Sequence, residues 1–335
     1  MSPRVAPLLV AGWAQRNKNG WERGIGMAGT ADQAVVFDFA SITKSFFAVF
    51  IATLQNEGLL GWHTPLATLL PELKSTWAGQ QNIAALLSHR SGLAPHRELF
   101  RASWGGGTVR LAKLLKQAAA AKQRPLMEHA VYSDLGYILL GAGVEHLLNE
   151  PLDVAMHRFL LAPWNLTAGS ARSWRKKDIE NFSSIAPTEV QPGRGGLLQG
   201  VVHDDNAWAL RGTGLCGHAG LFGTADCLLD FGIHLLEAKE GRGDDSMGYL
   251  APLFEKRAGG TLRMGFDGVS GAGSLAGNRA GPATFGHLGF TGTSFWCDPE
   301  AERVTVFLSN RVYPTRANPA LRSFRPKIHD FLWNC

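Results

Sequence analysis

Ser41-Ile42-Thr43-Lys44 heads a run, residues 41–57, in which Ile42, Phe46, Phe47, Val49, Phe50, Ile51 and Leu54 cover a helix on nearly every side. A helix that is apolar all round is buried rather than amphipathic, and Gly58 is its expected stop. Positions three apart share a helix face, so the Ser41 hydroxyl and the Lys44 ammonium are expected at one spot. A buried lysine that sheds its proton can take one from serine and make it a nucleophile. The start of a helix also favours developing negative charge. Ser41 could equally cap the helix, and the two roles are compatible. Ser-x-x-Lys fixes two positions in four and recurs by chance, so its meaning rests on the remainder of the chain.

The 335 residues suffice for one large domain or two intimate ones. A hydrophobic content of 45% and a charged content of 18% describe an ordinary globular protein. The net charge of +5 is mild, and no basic run is interleaved with aromatics, so a nucleic-acid partner is not expected. The stretch from Arg172 to Lys177 reads as a solvated loop. No apolar stretch is long enough to span a bilayer. Met1 to Val10 lacks the apolar region and cleavage site of a signal peptide, so a cytoplasmic location is expected, or a periplasmic one if a leader precedes this chain. Cys216, Cys227, Cys297 and Cys335 form no Cys-x-x-Cys pair and are expected as free thiols. His203-Asp204-Asp205-Asn206 raises the question of a metal, but adjacent residues do not normally converge on one ion. A loop hydrogen-bonding role is expected there, with no metal and no cofactor.

Gly24-Ile25-Gly26-Met27-Ala28-Gly29 spells a dinucleotide-binding pattern, yet it leads into strand-like Val35-Val36-Phe37 rather than a helix, so the segment reads as a turn. No Gly-x-Ser-x-Gly elbow occurs, which argues against an α/β-hydrolase. Residues 7–14 and 35–39 read as strands, and residues 83–87, 109–121 and 135–148 as helices. The Gly-rich stretch 191–220 reads as a long loop, of the kind that is functional or disordered. Strands at 290–297 and 304–309 flank the turn Asp298-Pro299-Glu300. Leu321, Phe324, Ile328, Phe331 and Leu332 then fall on one face of a C-terminal helix. The pattern predicts a sheet assembled from both chain ends, residues 1–60 and 215–335, with a mostly helical subdomain at 61–214 and a cleft between them.

Two further segments give Ser41 and Lys44 a context: Tyr132-Ser133-Asp134, ahead of the helix Leu135 to Leu140, and Gly286-His287-Leu288-Gly289-Phe290-Thr291-Gly292-Thr293. Ser133 or Asp134 could cap that helix. The order Ser-x-x-Lys, Tyr-x-Asp, His-x-Gly resembles the serine β-lactamase and penicillin-binding-protein superfamily, and most of all its class C branch with D-aminopeptidases, D,D-carboxypeptidases and esterases. Leu86-Leu87-Ser88-His89-Arg90-Ser91-Gly92-Leu93 and Gly217-His218-Ala219-Gly220-Leu221-Phe222 are similar to that branch too, and the likeness runs over residues 35–312.

The resemblance implies an α+β, β-lactamase/transpeptidase-like fold with an antiparallel sheet. It implies Ser41 as the acylated nucleophile, with Lys44 and Tyr132 handling its proton. A phenol is a poor base unless a nearby ammonium favours its ionised form, and Lys44 would supply that charge. The oxyanion hole would be the amides of Ser41 and Phe290. Gly289 would leave room for substrate along the strand edge, and His218 would line the cleft or hold its loop. Two departures stand out. Asp134 replaces the usual Asn, which offers a substrate amide both a donor and an acceptor. His287 replaces a lysine that supplies a fixed charge to a substrate carboxylate. Both weaken the case for penicillin hydrolysis and fit an esterase or aminopeptidase-like enzyme. The expected function is a serine hydrolase of a small ester or amide, D-amino-acid and peptidoglycan-derived peptides among them. The alternatives are a penicillin-binding D,D-carboxypeptidase or β-lactamase, and a non-catalytic relative that only binds ligand.

Overall fold

In a computed structural model that describes residues 5–29, 34–103, 108–121, 129–177, 184–241 and 245–335, the first long strand is β1 (Leu8–Asn17). Its Val10, Gly12 and Ala14 are buried, the two-residue period of a strand with one covered face. It pairs antiparallel with β2 (Gly20–Gly29). The remaining strands of this sheet come from the C-terminal third: β3 (Asp267–Gly268), β4 (Phe285–Leu288), β5 (Ser294–Asp298) and β6 (Arg303–Ser309). The order is β2-β1-β6-β5-β4-β3, with every pairing antiparallel. The two chain ends thus share one sheet, joined where β1 meets β6 from Leu9↔Ser309 to Gln15↔Arg303.

Four helices position the site and the sheet: α1 (Thr43–Asn56), α2 (Asp134–Leu148), α3 (Ala225–Lys239) and α4 (Leu321–Leu332). α1 is entered through a 3-10 turn, Ala40–Ile42, and is buried from Thr43 through Ala52 and again at Leu54. Phe46 of α1 stacks on Phe231 of α3 with ring centroids 3.8 Å apart and on Phe39 at 6.0 Å. α3 lies so close to the sheet that a Cβ on Gly232 would sit 2.5 Å from Val304 Cγ1. α4 packs against β5 and β6 through His329, which bonds the hydroxyls of Ser294 and Thr305 at 2.8 and 3.0 Å. A smaller sheet, Phe37–Asp38, Leu221–Gly223 and Ala168–Ser170, ties the approach to α1 to the middle of the chain. Among the described residues no helix is long and apolar enough to cross a membrane.

Several local expectations change. The glycine-rich segment 24–29 is no turn but the second half of β2, paired with β1 as far as Leu8↔Gly29. As the outer strand of the sheet it is bonded on one side only, and glycine makes space there for a neighbour: a Cβ on Gly24 would lie 2.5 Å from Trp13 Nε1. The expected strand 290–297 is broken. Gly289 N donates to Thr293 O at 2.7 Å, closing a hairpin whose tip carries Phe290. The loop 191–220 contains a helix, Asp205–Arg211, capped by the Asp204 carboxylate on the Ala207 amide, and half of a small hairpin, Val190–Gln191 with Gly196–Leu197. Arg172 to Lys177 belongs to the helix Ala171–Lys177 rather than to a loop. On α4 the buried face is Leu321, Arg325, His329 and Leu332, while Phe331 is 62% exposed. The cause is polar. Arg325 donates to Gly289 O and Thr293 O, so the hairpin and the His329 hydroxyl partners orient the helix more than its apolar residues do.

Phe46→Ala removes a ring that is wholly buried between α1 and α3. It should cost about 3–5 kcal/mol, to be measured by urea denaturation. A loss within the scatter of surface substitutions would mean that the Phe46–Phe231 stack does not hold the two helices together.

Candidate active site

Ser41 sits in a turn that is clamped from several directions. The buried Asp38 carboxylate accepts from the Ala40 amide and from the His203 amide, both at 2.8 Å. The first bond holds Ala40 at φ +48, a left-handed conformation that a residue other than glycine adopts only when its surroundings impose it. From the β4–β5 hairpin, Thr291 Oγ1 donates to Asp38 O at 2.7 Å and Thr293 Oγ1 to Phe39 O at 3.1 Å. Gly289 completes this contact. A Cβ there would lie 1.9 Å from Thr293 Oγ1 and 2.6 Å from Phe39 O, so its bare face is turned toward the turn that carries Ser41. Close packing against Thr293 and Phe39 demands a glycine here. Ser41 makes no side-chain cap on α1.

Lys44 is fully buried one turn further on. Its Nζ lies 2.9 Å from Ser41 Oγ, 3.2 Å from His218 O and 2.8 Å from Asp134 Oδ1. Burial opposes its charge, but Asp134 and then Tyr132 outweigh burial and hold the ammonium above its ordinary range. Burial likewise opposes ionisation of Asp134, and Lys44, with His96, overrides it and keeps the carboxyl well below the usual carboxylate range. The pair is therefore ionised at rest, and Lys44 donates to Ser41 rather than accepting from it. The Tyr132 ring lies 4.9 Å from Lys44 Nζ, and Tyr132 lines the cavity together with Ser41. Burial pushes its phenol up, with Lys44 pulling partly back. Asp134, expected at the substrate, instead holds Lys44.

Residues 131–134 are laced to residues 89–95. Val131 N donates to His89 O at 2.9 Å, Ser133 N to His89 Nδ1 at 3.0 Å, and Asp134 N to Pro95 O at 3.0 Å. Ser133, one of two expected caps of α2, gives its hydroxyl to Ala94 O instead. His89 adopts φ +60 and stacks on Tyr132 with centroids 4.6 Å apart. Burial and the Lys44 charge push its pKa to about 3. It is a neutral ring whose Nδ1 accepts, which puts its proton on Nε2. The likeness of residues 86–93 pointed to this stretch without assigning His89 a role. His96, half-exposed at the rim with Nδ1 3.5 Å from Asp134 Oδ2, has no signal in the sequence at all.

A cavity of about 700 Å³ opens above Ser41, lined by Tyr132, His287, Gly289 and Phe290 and further out by Arg311 and Arg322. His287 gives its Nδ1 proton to Leu288 O at 2.8 Å. Burial and Lys44 lower its pKa to about 3, so it brings no charge. Phe290 is 51% exposed, with Arg311 4.5 Å above its ring and the His203 ring stacked at 5.7 Å. Neither the Phe290 nor the Ser41 amide donates to a loop or turn carbonyl among the described residues. His218 is 1% exposed and stands outside the cavity lining. Its carbonyl takes Lys44, and its Nε2 meets Asp204 Oδ1 at 2.9 Å.

A matching sequence profile, that of the family described as Beta-lactamase, covers residues 5–327. An N-acetylmuramyl-L-alanine amidase of Bacillus subtilis (strain 168) is 29% identical over 322 residues, spanning 85% of this chain and 70% of that protein. Among solved structures, a D-alanine carboxypeptidase of Burkholderia cenocepacia superposes with a TM-score of 0.67 at 17% identity, over 97% of this chain and 93% of that one. EstCE1, a hydrolase with promiscuous acyltransferase activity, gives 0.65 at 21% identity, over 98% and 94%. These likenesses show the α+β fold of β-lactamases and transpeptidases.

The His218–Asp204 pair has a measurable consequence. Burial alone would lower the His218 pKa, but Asp204 outweighs it and raises it from 6.5 to about 10. A folded value above the unfolded one stabilises fully below about pH 6.5, and the contribution is lost as pH rises toward 10. Asp204→Asn keeps a side chain able to cap the helix at residue 205 and removes the charge. The melting temperature should then fall less between pH 7 and pH 10. An unchanged slope in the variant would show that His218 is not an imidazolium.

Proposed function

The chain belongs to the beta-lactamase family, and on that premise we propose that it is a serine hydrolase whose acyl-enzyme forms on Ser41. The observation that carries this reading is Lys44 Nζ, 2.9 Å from Ser41 Oγ and 2.8 Å from Asp134 Oδ1, at the floor of a cavity lined by Ser41 and Tyr132. At rest the cluster holds an ammonium and a phenol, neither of them a base. The reactive form has one proton fewer, shared between Lys44 and Tyr132, and its ionisation belongs to the pair rather than to either residue. In that form Ser41 Oγ bonds to the substrate carbonyl carbon while its proton passes to the cluster. The amides of Ser41 and Phe290 stabilise the oxyanion. The intermediate collapses as the cluster returns that proton to the departing alcohol or amine. Water then attacks the acyl-enzyme, gives a proton to the cluster, and Ser41 leaves reprotonated.

The substrate we infer is a small ester or amide. Asp134 is occupied by Lys44 and offers no amide-like donor to a peptide bond, which favours esters. A second reading, a peptidase acting on D-amino-acid peptides of peptidoglycan, draws support from the cavity's arginines. With His287 neutral, Arg311 and Arg322 carry the charge that a substrate carboxylate would meet. The amidase and carboxypeptidase named among the similar proteins point the same way.

Intact mass after a fluorophosphonate probe, and separately after a penicillin, should show one adduct on Ser41 for the probe. A penicilloyl adduct favours the peptidase, whereas turnover of p-nitrophenyl acetate without one favours the esterase. Ser41→Ala should lose all labelling. Lys44→Ala should label about 10²–10⁴-fold more slowly, and full-rate labelling would remove Lys44 from the proton transfer. His287→Lys should improve kcat/KM for substrates bearing a carboxylate, and no gain would mean that this position does not face that group.

A further inference from the structure

The oxygen of Asp134 that does not meet Lys44 leads out of the site. Asp134 Oδ1 is 2.8 Å from Lys44 Nζ, and Oδ2 is 3.5 Å from His96 Nδ1. Lys44 has no exposed surface, Asp134 little, and the His96 side chain is 47% exposed. One carboxylate thus joins a buried ammonium to a ring that exchanges protons with solvent. We propose that the charge on His96 sets how firmly Asp134 holds the Lys44 proton, and so places the pH range in which Ser41 can be acylated. His96 is a positioning residue: it acts through Asp134 and is not among the residues that line the cavity.

Two departures from a simple lysine site make this possible. A neutral amide in place of Asp134 would transmit little of a charge change at the rim, whereas a carboxylate shared by two cations makes their protonation interdependent. His96 also titrates where the others do not. Asp134 raises its pKa above 6.5, against burial, while His89 and His287 are neutral throughout the physiological range. Among the described residues the charged groups facing His96 are Asp134 at the start of α2, Asp204 ahead of the helix Asp205–Arg211, and His218, with Lys44 of α1 behind Asp134. Asp204 and His218 neutralise one another, so Asp134 dominates.

A cationic His96 offsets part of the Asp134 charge, weakens its grip on the Lys44 proton and lets the Lys44/Tyr132 pair ionise at lower pH. A neutral His96 leaves that grip whole, and ionisation needs higher pH. The inference rests on the serine-hydrolase reading, so the test is staged. Fluorophosphonate labelling of Ser41 in the wild type, His96→Gln and His96→Arg comes first; if it fails in all three, the hydrolase reading falls. With labelling present and melting temperatures confirming folded variants, the labelling rate is followed from pH 5 to 10. The acid limb of His96→Arg, with its fixed charge, should lie about half a unit to one unit below that of His96→Gln, with the wild type following His96→Arg at low pH and His96→Gln once His96 has lost its proton. The gap should narrow at high salt, because His96 is half-exposed. Coincident limbs, or limbs in the reverse order, would overturn the role of His96 while leaving Ser41 as the nucleophile.

Discussion

A lysine ammonium lies in the interior of this protein, on a helix whose buried residues are mostly apolar. Removing an ammonium from water costs several kcal/mol even after the surroundings relax, so the residues around Lys44 are arranged to meet that cost. Asp134 supplies the countercharge, His218 a carbonyl, and Ser41 the third oxygen. A second pair, His218 with Asp204, stands behind the first. The two ion pairs, Asp134 with Lys44 and His218 with Asp204, lie back to back, so that each charge has one opposite partner. What makes Ser41 a candidate nucleophile is the same arrangement that makes the buried lysine tolerable.

The partners of Lys44 come from distant parts of the chain, and the fold exists in good measure to bring them together. α1 delivers Ser41 and Lys44 from beneath. The helical region delivers Tyr132 and Asp134 on a segment sewn to residues 89–95. The sheet delivers the β4–β5 hairpin, whose threonines bond the backbone of Asp38 and Phe39 just ahead of Ser41. None of these pieces is positioned by its own local structure. Gly289 shows how tightly they meet, since a single added methyl would collide with both the hairpin and the turn that carries Ser41.

Legibility tracked the range of the interactions concerned. α1 could be read because burial on all sides leaves its mark on consecutive residues, and the β5–β6 hairpin because Asp298-Pro299-Glu300 separates two apolar runs. β2 was hidden because an outer strand with glycines under Trp13 shows no alternation. The helix Asp205–Arg211 was hidden among glycines and polar residues, its cap visible only beside its partner amide. The apolar face predicted for α4 was displaced by Arg325 and His329, whose hydrogen bonds to strands and hairpin outweigh the exposure of Phe331.

The sequence by itself determined that Ser41 and Lys44 stand three residues apart at the entry to a buried helix, because both the spacing and the apolar run that follows are local features. Together with Tyr132-Ser133-Asp134 and His287-Leu288-Gly289, it also determined the family. Only the tertiary structure decided what these groups are chemically. Asp134 turned from the substrate to Lys44, His287 was left uncharged, His218 became a buried cation, and His89 and His96 joined the site. Protonation depends on burial and on charges a few ångströms away, and those neighbours are some ninety residues apart along the chain, as Lys44 and Asp134 are. Their meeting is set by the packing of the whole molecule.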